Sequence, residues 1–117
     1  MQYLLLIYEN ESQLFAKSPA ETTAIMAEYT EFTKGIIQAG HFKAADRLKP
    51  TSAASTVRVR NGKVAITDGP FAETREQLGG YYLVEAKNLD EATAIAARIP
   101  SAKAGSIEVR PIWPSAA

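Results

Sequence analysis

The densest cluster of chemically capable residues is the run Thr67-Asp68-Gly69-Pro70-Phe71, continued by Glu73, Glu76, Gln77, Gly79, Gly80, Tyr81 and Tyr82. Asp68 can accept backbone N–H bonds from two residues on, Gly69 can take positive φ, and Pro70 fixes φ at about −65°. That chemistry builds a rigid turn. It equally suits a turn that holds a carboxylate and an aromatic ring at the mouth of a pocket, with Asp68 as the catalytic group and Phe71 and Tyr81 as binding residues. Both readings stay open. A second set is Asp46 and Arg47: two neighbouring carboxylates, Asp46 and Asp68, would bind a cation or share a proton and push their pKa values apart. Arg47 would instead neutralise one of them, and the plain alternative is a surface charge cluster that contributes little. Tyr29 is a third candidate binding residue, whose hydroxyl requires a partner if the ring is buried. No ligand spacing specifies a metal, and no cofactor is expected. His41, the only histidine, attracts notice as a general base because its ordinary pKa is about 6.5.

These residues must be placed by one domain, since 117 residues fit a single core spanning positions 1–117. The 13 basic and 13 acidic side chains cancel, so no overall field favours nucleic acid or an anionic membrane. The absence of cysteine excludes disulfides, Fe–S clusters, Cys-based zinc sites and thiol catalysis. The apolar start Tyr3-Leu-Leu-Leu-Ile-Tyr8 is too short for a signal peptide or a membrane span and reads as a strand. A cytoplasmic location is the default expectation.

The rest of the chain reads in order. Tyr3 to Tyr8 suits a strand buried on both faces, closed by the polar stretch Glu9 to Gln13. Ser18 is an N-cap, Pro19 the first helical residue and Glu21 the partner in a capping box. Ile25, Tyr29, Phe32 and Ile36 form one apolar stripe, and Gly40 ends the helix as a left-handed cap. His41 to Leu48 forms a second strand. Thr56 to Arg60 alternates, Asn61-Gly62 is a two-residue hairpin turn, and Lys63 to Thr67 returns. Gly79-Gly80 precedes a strand from Tyr81 to Ala86, with close backbone approach or a bulge at the glycines. Asn88 caps a second helix with Leu89, Ala92, Ile95, Ala96 and Ile99 facing inward, stopped by Pro100. Ile107 to Ile112 is the last strand.

The order β-α-β, hairpin, β-α-β predicts an α+β fold: a ferredoxin-like split βαβ antiparallel sheet, two helices on one face, and an inserted hairpin. Two helices cover only one face. The first strand and the one after Gly80 are apolar on both, so a homodimer through the free sheet face is expected. His41 then starts the second strand at the Tyr3 end, whereas Asp68 falls at the opposite end with Tyr8, Glu9, Asp46 and Arg47. His41 is therefore not its partner.

The sequence resembles the YCII-related family, and within it the subgroup named for an Asp-Gly-Pro-Phe signature (DGPF). The likeness rests on Asp68–Phe71, Glu73, Glu76-Gln77 and Gly79-Gly80-Tyr81-Tyr82. It extends to Tyr3–Tyr8, Thr56–Arg60 with Gly62-Lys63, and Glu108–Trp113. The resemblance implies a dimeric α/β-barrel fold. Some relatives are proposed enzymes, including a dehydrochlorinase acting on a chlorinated hydroxyquinol. Many subgroup members are encoded beside alternative sigma factors, which makes a sigma factor a possible partner. The wider family is proposed to use a His–Asp pair with the His on the first helix; this helix has none, and Tyr29 stands near that position. Two functions are expected to compete. One is a small-molecule enzyme or ligand-binding protein with a pocket near Asp68, using carboxylate and tyrosine acid–base chemistry. The other is a non-catalytic regulatory module associated with an alternative sigma factor.

Overall fold

A computed structural model describes residues 1–115. The chain runs β1 (Gln2–Glu9), α1 (Glu11–Phe15), α2 (Pro19–Gln38), β2 (Phe42–Arg47), β3 (Ser55–Arg60), β4 (Lys63–Asp68), β5 (Gln77–Glu85), α3 (Leu89–Ala97) and β6 (Ser106–Pro111). Short 3-10 turns lie at Thr51–Ala53 and Pro100–Lys103.

Local chemistry accounts for the helix ends. The Ser18 hydroxyl accepts from the Glu21 amide at 3.1 Å, and the Ser18 amide donates back to the Glu21 carboxylate at 3.0 Å. At the other end Gly40 takes φ 81°, its N–H bonds the Ile37 carbonyl, and the His41 N–H bonds the Ile36 carbonyl. This paired closure satisfies carbonyls that the helix itself cannot. Asn88 caps α3 by accepting from the Glu91 amide at 2.9 Å.

The sheet order is β2-β5-β1-β6 with antiparallel pairing throughout. This is a ferredoxin-like α+β fold with an antiparallel sheet, as expected. Tyr3, Leu5 and Ile7 of β1 and Tyr82 and Val84 of β5 are buried beneath α2 and α3. There they pack with Phe32, Ile36, Ala92, Ile95, Ala96 and Ile99. Phe32 meets Tyr82 edge-to-face at 5.1 Å, and the Tyr82 hydroxyl bonds Thr33 at 2.6 Å, so the ring is buried with its polar end satisfied.

Three expectations need correction. Leu89 is half exposed, because it is the first residue of α3 and precedes the turns that reach the sheet. The stretch after Glu9 is helical rather than merely polar, since the Asn10 side chain caps α1 by accepting from the Gln13 amide. Finally, β5 begins at Gln77, before the glycines: Ile7 pairs with Gly80 and Tyr8 with Leu78, leaving Gly79 as the extra residue of a bulge inside the strand. Gly80 is there for close approach, as a Cβ would stand 2.9 Å from the Asp46 carbonyl oxygen.

β3 and β4 form a separate two-stranded sheet, turned by Asn61 (φ 53°) and Gly62 (φ 74°). The hairpin projects from the main body. The molecule measures 48 × 47 × 18 Å with a radius of gyration of 16.3 Å, against about 13 Å for a compact chain of roughly 100 residues. Among the described residues, no helix is long and apolar enough to cross a membrane.

Candidate functional site

At the end of the sheet where β1 and β2 finish, the helices stand away from the strands and leave a cavity of about 220 Å3. Its walls are Ile7, Ala45 and Tyr82 from the sheet, Met26 and Tyr29 from α2, and Leu14 and Phe15 from α1. Leu48 and Pro50 close the far side, while Glu9, Arg47 and Lys49 supply charge. An apolar chamber with a few polar groups is the common form of a small-molecule site.

The polar end is built by tertiary docking. The Tyr29 and Ser101 hydroxyls lie 2.5 Å apart, and Ser101 is the only buried polar residue among those described. Ser101 arrives on the 3-10 turn after α3, and its carbonyl takes the Gly105 amide at 2.8 Å. Gly105 lets that turn seat against the end of β1: any Cβ there would collide with the Tyr8 carbonyl and press on the Glu9 side chain. Burial pushes the Tyr29 phenol up to about 12, against the hydrogen bond from Ser101 and with help from the Glu9 carboxylate. Tyr29 therefore keeps its proton at neutral pH, and within the pair either hydroxyl can donate to the other. Glu9, on the same strand face as Ile7, is a half-buried carboxylate of the chamber, as is Glu11.

α1 is strapped over the mouth. The Glu11 carboxylate accepts from the Thr51 amide at 2.9 Å and the Thr51 hydroxyl at 2.8 Å. The Glu11 amide donates to Gln77 at 2.9 Å, and Asn10 donates to the Arg75 carbonyl at 3.2 Å. Two long loops are thus tied to one short helix.

The residues singled out from the sequence fall into four places. Tyr29 and Arg47 line the cavity. Asp46 and Tyr81 border it, but strand alternation from Ala45 and Tyr82 turns their side chains to the opposite sheet face. There the Tyr81 hydroxyl donates to the Asp46 carboxylate at 2.5 Å, which raises the Tyr81 pKa. Asp46 is thereby paired with a tyrosine, not with Asp68. Asp68 and Phe71 are exposed and do not line the cavity. Asp68 ends β4 opposite Ser55, and Phe71 lies under the Arg58 guanidinium at 5.6 Å. His41 sits at the other end of the sheet, its Nδ1 against the Glu85 carbonyl at 2.8 Å, near the N-terminal ammonium that pairs with Glu85. Sequence reasoning missed Ser101, because a serine after a helix-stopping proline reads as surface turn until its docking is seen.

An open-faced antiparallel sheet of order β2-β5-β1-β6, two helices on its covered face and a cavity at one end define a ferredoxin-like protein with a ligand-sized chamber. The YCII-related domain matches residues 1–116. An uncharacterized protein of Rhizobium meliloti (strain 1021) is 40% identical over 114 residues, covering 96% of this chain and 92% of the relative. The chain belongs to the YCII-related family.

Proposed function

We propose that this YCII-related protein, of the Asp-Gly-Pro-Phe subgroup, binds a small, largely apolar molecule bearing a carbonyl or phenolic oxygen. The supporting observation is the Tyr29–Ser101 pair in a largely apolar cavity whose charged groups include Glu9, Arg47 and Lys49. A phenol held neutral donates to an oxygen on which charge develops, and a nearby carboxylate removes or returns a proton. In this reading Tyr29 is the donor, Glu9 the acid–base group, and Arg47 the charge at the mouth. The chemistry is enolisation or elimination next to the bound oxygen. A cavity of this size favours a ligand-binding or catalytic role over a regulatory module that contacts a sigma factor. The protein is cytoplasmic in this proposal, and a second copy covers the open sheet face, where Leu4, Leu6 and Leu83 stand beside Tyr81.

A thermal-shift screen with small aromatic and aliphatic ketones and phenols tests the reading. A hit present at one hundred times its Kd adds about 2.7 kcal/mol to stability. The shift is expected to disappear in Tyr29→Phe and persist in Asp68→Asn. Loss of the response in Asp68→Asn with retention in Tyr29→Phe would move the site out of the cavity and defeat the proposal.

A further inference from the structure

We infer, resting on the cavity reading above, that the ligand is a small carboxylic acid. Its carboxylate is held by Arg47, with the Lys49 ammonium at the same rim, and its carbonyl or phenolic oxygen meets the Tyr29–Ser101 pair at the other end.

Arg47 reaches the cavity through strand alternation. Ala45, two residues earlier in β2, packs against the core, so Arg47 falls on the covered face of the sheet and lines the chamber. Its cross-strand partner is Gly80, and Gly80 pairs in turn with Ile7. Gly80 has no side chain, so the floor between Arg47 and Ile7 is bare backbone. The Ser101 turn lies at the opposite flank, packed on β1 and β6, with Gly105 against the Tyr8 carbonyl. Two strand spacings, about 10 Å, therefore separate the cationic rim on β2 from the strand that carries the Ser101 turn.

The protein leaves these cations unclaimed. The neighbouring carboxylate, Asp46, turns to the other sheet face and accepts from Tyr81. Among the described residues, neither Arg47 nor Lys49 belongs to an ion pair. The carboxylates of the chamber are placed differently. Glu11 already accepts from the Thr51 amide and hydroxyl, and Glu9 lies beside Gly105 on the Ser101 side. The chamber is thus polarised, with its free cations at the β2 edge and Glu9 at the β1 end. An anion entering at β2 meets attraction first, and the second carboxylate stands where the proton chemistry is needed.

The donors left at the mouth select the kind of anion. Phosphate sites draw on runs of free backbone amides. Here the Glu11, Gln13 and Thr51 amides are already bonded to the side chains of Gln77, Asn10 and Glu11, and the Leu48 amide to the Gly79 carbonyl. What remains is a planar guanidinium, which matches a planar carboxylate through two parallel hydrogen bonds. Volume agrees. The chamber of about 220 Å3 lies below the roughly 300 Å3 at which typical ligand pockets begin, so a compact acid fits better than a nucleotide or a sugar phosphate.

Titration calorimetry with para-hydroxyphenylpropionate and its neutral amide tests the assignment. The acid should bind the wild type about tenfold or more tighter than the amide, the difference expected of one charge-assisted pair. Arg47→Gln combined with Lys49→Gln should bring the acid down to the level of the amide and leave the amide unchanged. Both side chains are exposed, so this variant is expected to fold as the wild type does. Added sodium chloride should weaken the acid and not the amide. An amide that binds as tightly as the acid, or an acid unaffected by the double variant, would overturn the carboxylate assignment and leave the cavity reading standing. Tyr29→Phe reports on that reading separately. It should weaken acid and amide alike, and unchanged binding of both would defeat the cavity reading whatever the double variant does. Binding of neither compound to the wild type would defeat both.

Discussion

The two faces of the sheet solve the same burial problem differently. On the covered face, Tyr3, Leu5 and Ile7 meet two helices, and a place where packing is incomplete forms a chamber with a satisfied Tyr29–Ser101 pair. On the open face, Leu4 and Leu6 in the same strand meet no helix, and the chain projects an equally unpartnered ribbon. The contrast teaches that an apolar residue in this sequence is not automatically core. Ile36 is fully buried and Ile66 is 68% exposed, though both are isoleucines in regular elements.

The sharpest break of the comparison is to empty each side in turn. Ile36→Ala should cost about 2–5 kcal/mol in chemical denaturation, since a fully buried side chain is lost and a void remains. Tyr29→Phe should cost about 1–3 kcal/mol, because Ser101 is left buried without its partner. A value near zero would mean that Ser101 finds water in the cavity instead.

The alkaline limb of stability sharpens the same point. Tyr29 has its pKa raised to about 12, above the ordinary value of 10.0, so the unfolded chain ionises first as pH rises. Its contribution is intact below pH 10 and is lost between pH 10 and 12. Denaturation midpoints across that window should fall more steeply for the wild type than for Tyr29→Phe. The smallest effect belongs to the β3–β4 hairpin: Val57→Thr, at an exposed position, should change stability by less than about 0.5 kcal/mol. A large loss there would show that this valine packs within its own chain.

Much of the architecture was legible because it is local. Ser18-Pro19 with Glu21, Asn61-Gly62 and the stop at Pro100 specify ends and turns within a few residues, and alternation in β1 announced two apolar faces. The site was legible only in part. Topology put Arg47 at the end of the sheet where the cavity opens, but Asp46 and Tyr81 turn to the other face and Asp68 lies outside the cavity. For Asp46 and Tyr81 the outcome depends on which side of a strand each takes, whereas Asp68 ends a strand of the separate β3–β4 sheet.

By itself, then, the sequence determined the element order, the caps, the hairpin turn and the excess of apolar surface over what two helices can cover. Propensity, capping and periodicity act over at most a few residues, so one chain read alone reveals them. Only the tertiary structure decided that Ser101 meets Tyr29, that α1 closes over the mouth, and that the Asp68–Phe71 turn lies at the base of the β3–β4 hairpin instead of lining the chamber. The first two join segments dozens of residues apart, and for the Ser101 turn the close approach at Gly105, not local preference, lets it dock.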